Sequence, residues 1–370
     1  MGSCAVSASV LARAQRVADD FTALTGVSVD ATELLTGRAA LLDLAPAGRI
    51  SAGRATRLFP TAEGWCALTL ARPDDVAMVP ALLEADTVAD DPWPAIEAWA
   101  AGLPGATVAG RARLLGLPVA VLGETAAAPP RVSVLGPSQS TPLSGLLVAD
   151  LSAMWAGPLC GRLLARAGAT VVKVESVARP DGTRVGEPSF FDWMNSGKLS
   201  YAVDFDNPED LAALLDVADV VIEASRPAAL DRRGLGPHTV TARPGRVWLR
   251  ITGHGTHGER AGWVAFGDDA AVSGGLVGYR GGTPVFTADA IADPLTGLHA
   301  AGAVVAALGR GGGELIEFAM AAVAAEYAGL PADDNVVPAV RPASTPAGHA
   351  LGADNAAVRH LVAQRAAAPC

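Results

Sequence analysis

With 370 residues, half of them apolar, and a formal net charge of −10, the chain has material for a large core or two domains. The acidic balance counts against a general nucleic-acid binder, whose affinity rests on a basic surface, but leaves room for a local basic pocket around a small anion. No apolar run reaches the ~20 residues of a membrane span, and no basic segment precedes an apolar one at the N-terminus, so a cytoplasmic protein that uses no membrane is expected. Cys4, Cys66, Cys160 and Cys370 are scattered without metal-ligand spacing and read as reduced thiols, with no metal site.

In chain order, residues 1–45 read as helices without a chemical signal. Residues 54–70 (RATRLFPTAEGWCALTL) alternate around a Glu63-Gly64 turn and predict a β-hairpin. Residues 74–83 and 92–102 predict short helices, and 117–122 a strand. The stretch 123–142 is rich in Pro, Ser and Gly and reads as a linker. After it, 146–151 is a continuous apolar strand, Ala156-Gly157-Pro158 opens a helix to about 167, and 169–175 (ATVVKVE) is a second strand. Two strands apolar throughout are covered on both faces, which marks a βαβ unit of a parallel sheet. A helix at 207–217, strands at 219–223 and 246–252, and late helices at 293–308 and 314–329 continue the alternation. A short helix at 355–364 lies in a Pro- and Ala-rich tail.

This order predicts an α/β protein: a Rossmann-like doubly wound parallel sheet with a smaller α+β domain. The expected division is a small domain over 1–122, the linker at 123–142, the sheet domain over 143–330 and a tail over 331–370. Ligands of such sheets sit outside the carboxyl ends of the strands, where a helix N-terminus offers free N–H groups. The turn into Ala156-Gly157-Pro158 has that form, although it lacks the GxGxxG run of a dinucleotide site. Arg179, Arg184, Asn195, Lys198 and Arg226 all fall at the same sheet edge, and together they point to a phosphate-bearing ligand. Taken singly, each reads more readily as a solvated surface charge. The chain's only lysines, Lys173 and Lys198, both lie within these motifs.

The run from Leu146 to Leu308 resembles the CaiB/BaiF, or family III, CoA-transferases. The stretches that carry the resemblance are VADLSAMWAGPLCGRLLARAGATVVKVE, FFDWMNSGKLSYAVDF, ADVVIEASRPAALDRRGLGP, RVWLRITGHGTHGERAG and ADPLTGLHAAGAVVAALGRGGGELIEFAM. The resemblance implies a CoA site lined by Ala156, Gly157, Pro158, Lys173, Asn195, Lys198 and Arg226. It implies a catalytic aspartate after the glycine turn, at Asp268 or Asp269, with Asp268 needing the smaller shift of register. It also implies acyl-CoA and carboxylic acid substrates, no permanently bound cofactor, and a homodimer, interlocked in this family. A carboxylate attacks a thioester to give a mixed anhydride and release CoA thiolate, which re-attacks to give an aspartyl-CoA thioester whose CoA an incoming acid takes over; alternatively, one of the two aspartates caps a helix.

The hairpin RLFPTAEGWCALTL resembles one in the family's smaller, later domain, so the chain reads as circularly permuted. Two other functions compete. An acyl-CoA racemase or epimerase needs an acid and a base beside the α-carbon, a role for which His254 and His257 are candidates. The other is a non-catalytic CoA-binding protein.

Overall fold

The structure, a computed structural model, describes residues 5–225, 228–331 and 335–367. The N-terminal stretch forms strand β1 (Ala5–Ser7) and helices α1 (Ala8–Thr25) and α2 (Ala31–Leu42). Ser7 and Asp30 cap the two helices by accepting first-turn N–H groups. A small unit follows: β2 (Thr56–Thr61), β3 (Gly64–Thr69), the helices α3 (Pro73–Ala77), α4 (Val79–Leu83), α5 (Trp93–Ala101) and α6 (Gly105–Leu114), then β4 (Val119–Val121). The hairpin expected at 54–70 is β2–β3, and β4 adds to it as a third antiparallel strand.

The large sheet is built from β5 (Arg131–Val134), β6 (Leu147–Asp150), α7 (Ala156–Arg166), β7 (Thr170–Ser176), α8 (Ser189–Asn195), β8 (Leu199–Val203), α9 (Glu209–Val217), β9 (Val220–Glu223), α10 (Ala228–Asp231) and β10 (Val247–Thr252). The chain continues through α11 (Gly267–Ser273), the hairpin β11 (Gly278–Arg280) and β12 (Thr283–Val285), α12 (Ala292–Gly309), β13 (Glu314–Ala319), α13 (Met320–Ala328), β14 (Val336–Pro338) and α14 (Asn355–Ala367). Six strands are parallel, in the order β8-β7-β6-β9-β10-β13. Counted from β6, that is the 3-2-1-4-5-6 order of doubly wound nucleotide-binding sheets, with the switch point between β6 and β9.

Period-2 alternation divides the sheet's side chains between two cores. Val148, Ile222, Leu249 and Ile316 face α7 and α12, on which α1 and α2 pack in turn, whereas Ala149, Val221, Trp248 and Leu315 face α9 and α14. The small unit has a separate core around Phe59, Leu68, Ile96 and Val108. Its inner sheet face, through Leu58, Ala67 and Ala120, packs on Val272 of α11 and on Phe286. No helix among the described residues is long and apolar enough to cross a membrane.

Three expectations are corrected. The segment 314–329 is not one helix, because its apolar half, Leu315, Ile316 and Phe318, pairs with β10 as β13, and only the Ala-rich half coils. The expected linker at 123–142 contains β5, whose Val132 and Val134 pair antiparallel with β13 and close the sheet edge. Residues 8–42, grouped by sequence with the small unit, share the core of α7 and α12 instead. The tail is also bound to the fold, since β14 pairs with β1 and α14 packs on α9 and β8.

Two buried ammonium groups hold the turn after β6. Lys198 Nζ donates to Asp150 Oδ2 at 2.9 Å, to the Pro158 carbonyl at 2.8 Å and to Asn195 Oδ1 at 3.0 Å. Lys173 Nζ donates to Asp181 Oδ2 at 2.7 Å and to the Ser152 carbonyl. Burial pushes Asp150 up, but Lys198 and Lys173 outweigh it and hold the carboxyl below its usual range. Lys198→Met leaves that carboxylate buried and unpaired, and is expected to cost about 3–5 kcal/mol in urea unfolding at neutral pH. Adding Asp150→Leu should recover most of the loss, and an unchanged midpoint in the single variant would exclude the pair as a brace.

Candidate active site

The carboxyl end of β6 turns through Leu151–Trp155 into α7 at the switch point. Met154 sits at φ 70°, a left-handed conformation costly for a side chain of its size. Its N–H is held by the Asp181 carboxylate at 3.2 Å, and Asp181 is held in turn by Lys173. Gly157 is required here, because a Cβ would collide with the Ser152 side chain.

The motif residues expected at this edge do converge. Ala156, Gly157 and Pro158 form the first turn of α7, and Lys173, Asn195 and Lys198 lie directly beneath it. Their role differs from the expectation of cations facing a phosphate. Lys173, Asn195 and Lys198 are 1–2% exposed, and the ammonium groups are spent on internal acceptors. An ammonium so placed pins the backbone and has no donor directed at solvent. Arg184 is likewise committed, paired with Glu175 at 2.6 Å and stacked on Phe191. Arg179 is exposed. Arg226 lies outside the described residues.

Opposite the turn stand three carboxylates from three segments. Asp268 lies in the first turn of α11, Asp289 in the loop after β12, and Asp293 in the first turn of α12. Asp293 Oδ1 accepts the N–H of Ala156 at 3.4 Å, which joins α12 to the first residue of α7. Its other oxygen lies over Gly267, where a Cβ would collide with it and with the Ala290 carbonyl. Asp268 Oδ1 accepts the Ala290 N–H at 3.0 Å. Asp289 is fully buried, and one of its oxygens pairs with Arg38 Nη1 at 2.7 Å. Burial, followed by the neighbouring Asp289 charge, pushes Asp268 up to about 6. Burial also pushes Asp293 up to about 7, with Arg38 and the Ala156 N–H opposing.

Asp269, one residue from Asp268, points the other way. It is fully buried and accepts the Phe266 N–H at 3.0 Å and the Thr69 hydroxyl at 2.8 Å. It therefore caps α11 and fastens the helix to β3 of the small unit, so of the two sequence candidates only Asp268 joins the cluster. His254 is buried with both ring nitrogens unpartnered, and its ring meets the Trp263 edge. His257 reaches Glu317, on the sheet face away from the cluster.

Two residues of the site were missed from sequence. Asp293 lies inside the quoted ADPLTGLHAA motif, where its place at a helix start, four residues before Gly297, was the available signal. Arg38 belongs to a helix with no motif, and nothing in the sequence relates it to residues 250 positions away. Its guanidinium packs over the rings of Trp155 and Phe190, 5.7 and 5.2 Å from their centroids. It also lines a cleft of about 610 Å3 together with Leu42, Met154, Val185 and Phe190.

A doubly wound sheet with clustered carboxylates at its switch point defines an α/β protein with a site suited to acyl transfer. The sequence model of CoA-transferase family III matches residues 143–354, more than half of the chain, which therefore belongs to that family. An acyl-CoA transferase of Fusarium pseudograminearum is 33% identical over 188 residues, covering 45% of this chain and 41% of that protein. A succinate–glutarate CoA-transferase of Agrobacterium fabrum is 33% identical over 194 residues, covering 46% and 48%. The chain thus spans less than half the length of these curated relatives. Among solved structures, a CaiB/BaiF family protein from Brucella suis aligns at 31% identity with a TM-score of 0.46, covering 51% of this chain and 55% of that one.

Asp269→Ala removes the acceptor for the Thr69 hydroxyl and the Phe266 N–H and is expected to destabilise the fold by about 1–3 kcal/mol. Thr69→Val should give a smaller loss in the same direction, read from denaturant midpoints. If neither variant moves the midpoint, Asp269 does not fasten the small unit to α11.

Proposed function

We propose that this chain moves CoA between an acyl-CoA thioester and a free carboxylic acid, with Asp293 as the nucleophile. The observation that carries the reading is the position of the Asp293 carboxylate. It lies between the N–H of Ala156, at the start of α7, and the space left by the missing side chain of Gly267. Asp268 is less free to attack, because the Ala290 N–H holds it at 3.0 Å, closer than the 3.4 Å at which Ala156 meets Asp293.

In this reading an Asp293 oxygen adds to the thioester carbonyl, the C–S bond breaks, and CoA leaves as thiolate from a mixed anhydride. The thiolate then attacks the aspartyl carbonyl and expels the acyl carboxylate, leaving an aspartyl-CoA thioester. The second acid repeats these steps in reverse: it displaces the thiolate to form a new anhydride, and the thiolate takes the new acyl group and frees Asp293. Oxyanions formed at the carbonyls face the N–H groups that open α7, which favour negative charge. The same reading takes the small unit over 56–121 as the permuted counterpart of the family's later domain.

A racemase needs an acid and a base on either side of one carbon. Among the described residues no histidine bonds to the three carboxylates, so the transferase reading is preferred.

Asp293→Asn should abolish CoA exchange between an acyl-CoA and an isotopically labelled acid while the fold stays intact. Full activity in that variant would exclude the proposed nucleophile. A carboxylate attacks only when ionised, so exchange should rise with pH through the region near 7 to which burial pushes Asp293. Asp268→Asn removes a neighbouring negative charge, which makes Asp293 easier to ionise. The rise should therefore move to lower pH, and a profile that stays in place would separate the two residues electrostatically.

A further inference from the structure

We propose that the cleft between α2 and the 182–187 loop holds the acceptor acid, an apolar monocarboxylic acid whose carboxylate rests on Arg38. The assignment rests on the transferase reading for the reaction, though the binding it describes can be measured without turnover.

The first reason is electrostatic. An acid anion that approaches Asp268, Asp289 and Asp293 meets three carboxylates in a partly buried site. Charges of one sign at such distances repel strongly when little water separates them. A counter-cation is needed at the point of entry. Among the described residues, Arg38 is the cation bonded to this cluster, through Asp289. Its side chain retains 21% exposure and lines the cleft, so the guanidinium has one edge on the cluster and another toward the opening. The rings of Trp155 and Phe190 hold its plane. A planar guanidinium fixed in this way presents paired N–H donors suited to a carboxylate.

The second reason is the wall of the cleft. Beyond Arg38 it is lined by Leu41, Leu42, Met154, Val185 and Phe190. Met154 and Val185 are 39% and 84% exposed, so apolar surface stands ready to be covered. The cleft's charged residues are Arg38, Arg341, Asp43 and Glu187, two of each sign. With Arg38 given to the reacting carboxylate, the remainder is net acidic, which disfavours a second carboxylate on the ligand. A cleft of about 610 Å3 is in the size range of small-molecule sites.

Hexanoate and adipate have equal carbon counts and differ in the second carboxylate, so they test the assignment as acceptors against a fixed acetyl-CoA donor. Hexanoate should be preferred at least ~10-fold in kcat/KM, in line with one charged contact. Val185→Asp, at an exposed position that leaves the fold alone, should raise the KM for hexanoate ~10-fold and leave the KM for the donor unchanged. Arg38→Met should raise the hexanoate KM by ~10–100-fold, in excess of its effect on donor KM, with Arg38→Lys recovering part of the loss. Equal or better use of adipate overturns the ligand class, and an unchanged hexanoate KM in Val185→Asp overturns the cleft. If the wild-type protein exchanges CoA with no acid, the transferase reading fails separately. Calorimetry with hexanoate then decides the cleft: binding weakened by Val185→Asp upholds it, and no binding to the wild type overturns it.

Discussion

The structure depends on charge neutralisation beneath one turn. Asp150, at the end of β6, carries a negative charge in the core because Lys198 and Lys173 offset its burial, and the Lys198 ammonium also draws in the Pro158 carbonyl and Asn195. Such a pair is a weak source of net stability but a strong source of specificity, since either partner alone is costly. Here it fixes how α7 leaves the sheet, and the start of α7 supplies the backbone N–H that Asp293 accepts across the site. The second pair, Lys173 with Asp181, supports the strained residue Met154 through the Asp181 carboxylate. Strain at a switch-point turn persists only where its surroundings over-determine it, and these two pairs do so.

Above that turn the balance of charge is reversed. Among the described residues three carboxylates face a single guanidinium, and burial raises the affinity of Asp268 and Asp293 for protons. Two acids so close titrate as a pair, so the charge at this site belongs to the cluster as a whole. Gly267 makes the arrangement possible sterically and Arg38 makes it possible electrostatically. One comes from the sheet half of the chain and the other from its beginning.

Much of the fold was legible because its signals are local. Short Val-rich strands at 147–150 and 170–176, buried along nearly their whole length, and the glycine-proline opening of α7 declare a parallel sheet without outside help. The error at 314–319 arose because a short apolar run bounded by glycine and alanine fits either a strand or a buried helix, and only pairing with β10 decides between them. The motif lysines were found by position and misjudged in role, since sequence shows that a cation is near an edge but not which way it turns. Asp268 and Asp269 could not be separated in sequence because adjacent helical residues diverge by a hundred degrees, sending one into the cluster and the other into the small unit. Arg38 reaches the site through tertiary packing alone, which no local pattern records.

The bond between Asp269 and Thr69 has a consequence for how the chain can be divided. The segment that matches the family begins at residue 143, yet Thr69 and Arg38 both lie before it. Excised at that boundary, the sheet would keep Asp269 and Asp289 in place but lose the hydroxyl that one of them holds and the guanidinium that neutralises the other. It would also bare the face of α12 that α1 and α2 cover. The recognisable half of this protein is therefore a dependent half: the first forty-odd residues and the β3 strand are structural members of the same site, and cutting the chain by sequence similarity would cut through it.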